Sequence, residues 1–157
     1  MKKIAVFPGS FDPVTRGHEN IVVRAIPLFD EIIVAVGKNV QKDSFFYLDT
    51  RIDFLEKVFQ DYPTVKVMPY EGLTVDFCRQ ENAKYILRGL RTSADFEFER
   101  SIGQMNKKMY HDIETIFMLS LTEYTPVSSS IVRDIIRNGG DASQFVPEAI
   151  AVDLEKY

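Results

Sequence analysis

The sequence predicts an α/β fold, an open doubly wound sheet of five parallel strands with flanking helices, and three observations carry that expectation. Short apolar runs rich in β-branched residues alternate along the chain with segments whose apolar residues recur at helical spacing. The runs lack the polar alternation of a one-sided strand, which points to burial on both faces, as in a parallel sheet. The length, 157 residues with 45% apolar, suits one core. One domain over residues 1–157 is therefore expected.

The strands are expected at 4–7, 32–36, 65–68, 85–87 and 115–119, each preceding a helical pattern. The helices are expected at 17–29, 48–59, 74–82, 93–110, 129–138 and 147–155. Pro27 falls inside the first of these and should kink it or shorten its end. Gly139 or Gly140 supplies a C-cap after 129–138. The order βαβαβαβαβα is that of an open sheet, in which ligands bind beyond the carboxyl ends of the strands.

Bulk properties exclude several settings. With 19 basic and 23 acidic residues the formal charge is −4, so affinity for an anion must come from local clustering and nucleic acid is not an expected partner. No stretch approaches the roughly 18 apolar residues of a membrane span, and MKKIAVF passes directly into a strand pattern. The single cysteine, Cys78, has no internal disulfide partner and reads as a small core hydrophobe. A soluble, cytoplasmic protein is expected.

The chemistry concentrates where the first strand meets the first helix, in "PGSFDPVTRGHENIV", residues 8–22. About nine residues are expected to connect the two elements, more than the usual two to six. Pro8 and Pro13 stiffen the turn, while Gly9 and Gly17 let backbone N–H groups approach an oxygen-rich ligand. The helix start adds partial positive charge. His18 lies in the first turn, in line with Val22, Ala25 and Phe29, and so stands at the rim of the sheet. Singly, His18 reads as a satisfied core histidine, Thr15 as a turn former and Ser10 as a loop hydroxyl. Together with two glycines at one helix start they form a candidate site.

Two further segments leave strand ends in the same way. "LRGLRTSADFEFE", residues 87–99, carries Arg88 and Arg91 around Gly89 and opens a helix through Thr92 and Asp95. Guanidinium forks match phosphate oxygens, so the arginines read as anion ligands and Asp95 and Glu97 as charges favourable to a helix start. "TPVSSSIVRDIIRNGG", residues 125–140, places three serines at another helix start, of which capping explains one. Arg133 reads equally as a phosphate ligand and as a partner of Asp134 or Asp141. His111 reads as a solvated loop residue. The sequence contains no G-x-x-x-x-G-K-[ST] loop, no G-x-G-x-x-G fingerprint and no His/Cys cluster of metal-ligand spacing, which argues against a kinase or an NAD dehydrogenase.

Thr15-Arg16-Gly17-His18 within "GSFDPVTRGH" resembles the [TH]-x-G-H loop of the nucleotidyltransferase superfamily, and "SSSIVR", residues 128–133, resembles its second ATP-binding element. Within that superfamily the length, residues 87–99 and the placement of Lys42 resemble the bacterial phosphopantetheine adenylyltransferases over essentially the whole chain. The departures are Ser10 where threonine is frequent, Phe98 where tyrosine is frequent, and the loop 37–47. The resemblance implies a Rossmann-like sheet and transfer of AMP from ATP to 4′-phosphopantetheine, giving dephospho-coenzyme A and pyrophosphate. It implies His18, Lys42 and Arg91 as catalytic residues. It places Ser10, Phe11, His18, Gly89, Leu90, Arg91, Glu99 and the run Tyr124, Thr125, Pro126, Val127, Ser128, Ser129 and Ser130 against ATP. Ser10, Lys42, Thr74 and Arg88 fall against phosphopantetheine. Mg²⁺ is expected as a companion of ATP, with no protein metal cage. A homohexamer and feedback binding of coenzyme A are further expectations of the resemblance, with Phe45, Phe46, Phe96 and Met105 available as contact or core residues.

Two other readings compete with this one. Another transferase of the superfamily would use nicotinate mononucleotide or a cytidine nucleotide, and a nucleotide-binding sensor would carry the fold without chemistry. The short chain with Lys42, Arg88 and Arg91 favours the first reading, and the intact Thr15/His18 pair argues against a sensor.

Overall fold

A computed structural model describes residues 1–38 and 43–157. In chain order the elements are β1 (Ile4–Gly9), α1 (Arg16–Ala25), β2 (Glu31–Gly37), α2 (Leu48–Phe59), β3 (Val65–Tyr70), α3 (Thr74–Gln80), β4 (Tyr85–Leu90), α4 (Ser93–Met109), β5 (Glu114–Leu119), α5 (Ser129–Arg137) and α6 (Glu148–Ala151). The five strands form one parallel sheet in the order β3-β2-β1-β4-β5. Alternation along the central strands divides the core between the two faces. Ala5, Phe7, Ile32, Val34 and Val36 join one apolar cluster with Val22, Leu55 and Leu87. Val6, Ile33 and Ala35 join the other with Val75, Cys78, Ile86 and Ile113.

The structure corrects several expectations. Burial on both faces holds for β1 and β2 but not for the edge strands, where Lys66 and Pro69 of β3 and Glu114 and Leu119 of β5 are exposed. An edge strand has a neighbour on one side only and is less enclosed than the central pair. The first connection spans six residues, 10–15, and not nine, because β1 continues through Pro8 to Gly9 and the helix starts at Arg16. The helix expected at 17–29 ends at Ala25, and Ile26–Leu28 form a 3₁₀ turn around Pro27, whose missing N–H cannot continue the α-helical ladder. The helix expected at 74–82 stops at Gln80, with Asn82 in the left-handed region at φ 56°. The segment 147–155 divides into α6 and a 3₁₀ turn, Asp153–Lys156. By contrast α2 has its expected bounds, and α5 ends as expected: Gly139 adopts φ 75°, with its N–H bonded to the Ile136 carbonyl and that of Gly140 to the Ile135 carbonyl.

This topology creates the crevice that holds the site. From β1 the chain moves outward to β2 and β3, then crosses back to β4 and β5 on the other side. The carboxyl ends of β1 and β4 are thus where the crossovers diverge. Gly89 lets α1 approach that point, since a Cβ there would stand 3.1 Å from the Ile21 side chain.

Candidate active site

The loop 10–15 is held by its backbone. The Ser10 carbonyl accepts from Arg51 Nη1 at 2.7 Å, the Asp12 carbonyl from Arg133 Nη1 at 2.9 Å, and the Pro13 carbonyl from Ser129 Oγ at 2.7 Å. The Asp12 carboxylate accepts from the Phe45 and Phe46 N–H groups, each at 2.8 Å. Arg51 is 4% exposed and also donates from Nε to the Phe46 carbonyl at 3.2 Å. Burial lowers its pKa, opposed by the charge of Asp12. Asp12–Pro13 is a cis peptide, and Phe11 adopts φ 48°, an uncommon conformation for a residue with a side chain. The buried Phe11 ring is fixed between Phe7, at 5.6 Å between centroids, and the edge of His18, at 5.0 Å.

His18 is oriented by its own helix cap. Thr15 Oγ1 accepts from the His18 N–H at 3.3 Å, and the Thr15 N–H donates to His18 Nδ1 at 3.0 Å, a reciprocal capping box. With Nδ1 accepting, the neutral ring carries its proton on Nε2. Burial, and then the charges of Arg88 and Arg91, push the imidazole down to about 4. At neutral pH His18 is an uncharged donor.

Two cavities open at the carboxyl ends of the strands. The first, about 460 Å³, is lined by β2, β3, α3 and α4 residues including Tyr70, Thr74, Phe98, Ile102 and Asn106. The second, about 360 Å³, is lined by the 10–15 loop, His18, Gly89, Arg91, Tyr124, Val127 and the serines 128–130. Pro8, Gly9, Ser10, Arg88 and Glu99 line both and form the wall between them. Arg88 Nε and Nη2 donate to the two Glu99 carboxylate oxygens at 2.9 and 2.6 Å, and Nη1 donates to the Pro8 carbonyl at 2.6 Å. Arg91 pairs through Nε with Asp95 at 3.4 Å. The arrangement can hold two anionic groups on either side of one wall, with a neutral imidazole donor on the second side.

The chain matches the cytidylyltransferase-like family over residues 6–135. It is 55% identical to the phosphopantetheine adenylyltransferase of Flavobacterium psychrophilum over 94% of this chain and 97% of that protein. It is 47% identical to the enzyme of the same name from Leptospira biflexa, over 99% and 98% respectively. The chain belongs to the phosphopantetheine adenylyltransferase family. A solved bifunctional NMN adenylyltransferase/ADP ribose pyrophosphatase from Francisella tularensis superposes with a TM-score of 0.75 at 18% identity, covering 99% of this chain and 49% of that one. This chain therefore spans about half of that structure, and the likeness concerns the fold.

The residues expected against the two substrates divide between the cavities only in part, since Ser10, Arg88 and Glu99 line both. Ser10, Thr74 and Arg88 line the first. Ser10, Phe11, His18, Gly89, Arg91, Glu99, Tyr124, Val127, Ser128, Ser129 and Ser130 line the second. Leu90, Thr125 and Pro126 lie beside the second without lining it, and Lys42 lies outside the described residues. The three serines divide their work: Ser128 caps α5 by accepting from the Ile131 N–H, Ser129 straps the 10–15 loop, and Ser130 Oγ accepts from Arg133. Arg133 pairs with neither Asp134 nor Asp141. It grips the Asp12 carbonyl and lines the second cavity. Asp95 does more than favour its helix start, since it also accepts from the Arg91 N–H at 3.2 Å. Asp12 and Arg51 escape sequence reasoning. Asp12 stood in the quoted loop as a signal, whereas Arg51 reads as one polar residue of an amphipathic helix.

Proposed function

We propose that the chain transfers AMP from ATP to 4′-phosphopantetheine, in coenzyme A biosynthesis, by direct attack of the acceptor phosphate on the α-phosphorus. The observation that carries this reading is the pair of cavities sharing one wall: two polyanions seated on its two sides meet at Ser10 and Arg88. An oxygen of the acceptor phosphate forms the new bond to the α-phosphorus, the bond to the bridging oxygen of the β-phosphate breaks, and pyrophosphate leaves. A phosphate monoester is largely ionised near neutral pH, so no base has to generate the nucleophile. What the reaction requires is alignment, and donors aimed at oxygens that gain charge in the transition state.

The second cavity, with His18, Arg91 and the α5 start, suits ATP, and the first, with Thr74 and Arg88, suits phosphopantetheine. Lys42 completes the acceptor side by family correspondence. The acidic side chains of the second cavity are engaged, Asp12 by two backbone N–H groups, Asp95 by Arg91 and Glu99 by Arg88. Mg²⁺ therefore enters as part of the substrate MgATP, held by phosphates and water. The exposed residues Phe98, Ile102, Met105 and Met109 form a stripe along α4 at helical spacing, which supports assembly of copies into the homohexamer of the family resemblance. Feedback by coenzyme A and a cytoplasmic location complete the proposal. Assaying pyrophosphate release from ATP with a panel of acceptors tests it. Turnover with 4′-phosphopantetheine and none with nicotinate mononucleotide is expected, and the reverse would overturn the reading.

A further inference from the structure

The geometry points to Tyr157 as a positioning residue for the 10–15 loop, acting through Phe46 and Asp12 from outside both cavities. This rests on the adenylyltransferase reading, in which that loop and His18 stand against the reacting phosphates. Tyr157 follows the 3₁₀ turn Asp153–Lys156, and its N–H donates to the Leu154 carbonyl at 3.2 Å. The turn is docked on α2: Ile150 and Leu154 join the core cluster of Leu55 and Val58, and Asp153 pairs with Lys57 Nζ at 3.2 Å. From there the Tyr157 ring meets the Phe46 ring edge to face, at 4.9 Å between centroids and 85° between planes. Phe54 packs on Phe46 at 5.4 Å and Phe45 at 4.8 Å, while the Arg137 guanidinium of α5 stands 5.3 Å from the Phe45 centroid. The two phenyl rings are thus braced from α2, from the end of α5 and from the turn that carries Tyr157.

What the braced pair holds is the loop. The Phe45 and Phe46 N–H groups donate to the two oxygens of the Asp12 carboxylate, which is 6% exposed. The Phe46 carbonyl shares Arg51 with the Ser10 carbonyl. The backbone of Phe46 is therefore tied to the loop at both its N–H and its C=O, and a shift of its ring moves a donor on which a buried charge depends. The loop carries Ser10, which lines both cavities, and Phe11, whose ring lies against His18. Loosening it displaces groups aimed at the transition state, while those that bind the rest of each substrate stay in place.

The test compares wild type, Tyr157→Ala, Tyr157→Phe, Asp12→Ala and the double variant Tyr157→Ala/Asp12→Ala, each checked for folding by circular dichroism. Pyrophosphate release gives the single-turnover rate and both KM values, and urea unfolding gives stability. Tyr157→Ala is expected to slow single turnover about three- to tenfold, the order of one lost aromatic pair, with both KM values within about twofold of wild type. Tyr157→Phe keeps the ring and should restore the rate. In the Asp12→Ala background Tyr157→Ala should slow turnover no further, yet still lower the urea midpoint, since the packing on Phe46 is lost in either background. That split separates positioning from a merely structural role. If Asp12→Ala does not fold, Asp12→Asn, which removes the charge, takes its place. An unchanged rate in folded Tyr157→Ala, a loss that Tyr157→Phe does not restore, or the same loss in the Asp12 background would overturn the assignment. Absence of wild-type turnover would instead overturn the functional reading. Amide hydrogen exchange over residues 10–15 and 43–47, expected to quicken in Tyr157→Ala and not in Tyr157→Phe, would then still decide whether Tyr157 holds the loop.

Discussion

At His18, one side chain satisfies two demands: its Nδ1 completes the cap of α1, and the cap in turn fixes which ring nitrogen carries the proton. A preorganised donor aimed at an oxygen that gains charge is worth about 10²- to 10³-fold in kcat. His18→Ala is therefore expected to bind both substrates within several-fold of wild type and to turn over at least about a hundredfold more slowly. Single-turnover rates beside direct binding check this, and equal losses in binding and rate would contradict it. The lowered pKa adds a pH dependence. Below the ordinary value of 6.5 the unfolded chain takes up a proton that the folded imidazole, at about 4, does not. The contribution of neutral His18 to stability is full above pH 6.5 and is lost as pH falls toward 4. Urea denaturation across that window should show a shallower pH dependence for His18→Ala than for wild type.

At the scale of elements, the site depends on contacts between segments far apart in sequence. The starts of α4 and α5 were legible, because Thr92 and the serines at 128–130 are capping residues ahead of apolar-periodic runs; Thr15, which reads as a turn former, caps α1 in the same way, each of Thr15, Thr92 and Ser128 accepting from the N–H three residues on. The place of the arginines at the end of β4 was legible, since it follows from the strand; their carboxylate partners there, Glu99 for Arg88 and Asp95 for Arg91, are the acids that stand near them in sequence. The place of Arg51 was not legible. Nothing in the spacing of α2 tells which polar residue turns inward and reaches the Ser10 carbonyl, 41 residues earlier. The same holds for Arg133, whose partner lies on the 10–15 loop and not among the acids near it in sequence. Local chemistry sets caps and strand ends, whereas a long side chain chooses its partner from the whole packed fold. Arg51→Ala would leave the buried Phe46 carbonyl unpaired and take the donor from the carbonyl of exposed Ser10, which water can reach, at a cost of about 1–3 kcal/mol. Urea unfolding reads that loss. Arg51→Lys, which cannot reach both carbonyls as a fork does, should recover only part of it. A change under about 0.5 kcal/mol in Arg51→Ala would show that the brace is dispensable.

For the whole molecule, the sheet order places β1 and β4 side by side with their crossovers diverging, so the wall between the cavities is built from the ends of the first and fourth strands, with Ser10 and, from α4, Glu99. The order of elements announced that crevice, and the two quoted motifs announced its chemistry. The division into two cavities was not legible, because it depends on α4 lying over the end of the sheet with Phe98 and Ile102 facing one side of the wall. The α4 stripe also bears on assembly, and light scattering at micromolar concentration should give the mass of six chains, with a monomeric mass contradicting the proposed hexamer. The central claim is that the two phosphates react directly across the shared wall, in one displacement and without a covalent enzyme intermediate. Turnover of one diastereomer of ATP carrying sulfur at the α-phosphorus tests it most directly. A single in-line attack inverts the configuration at phosphorus in the dephospho-coenzyme A formed, and retention would mean two successive displacements and contradict the account.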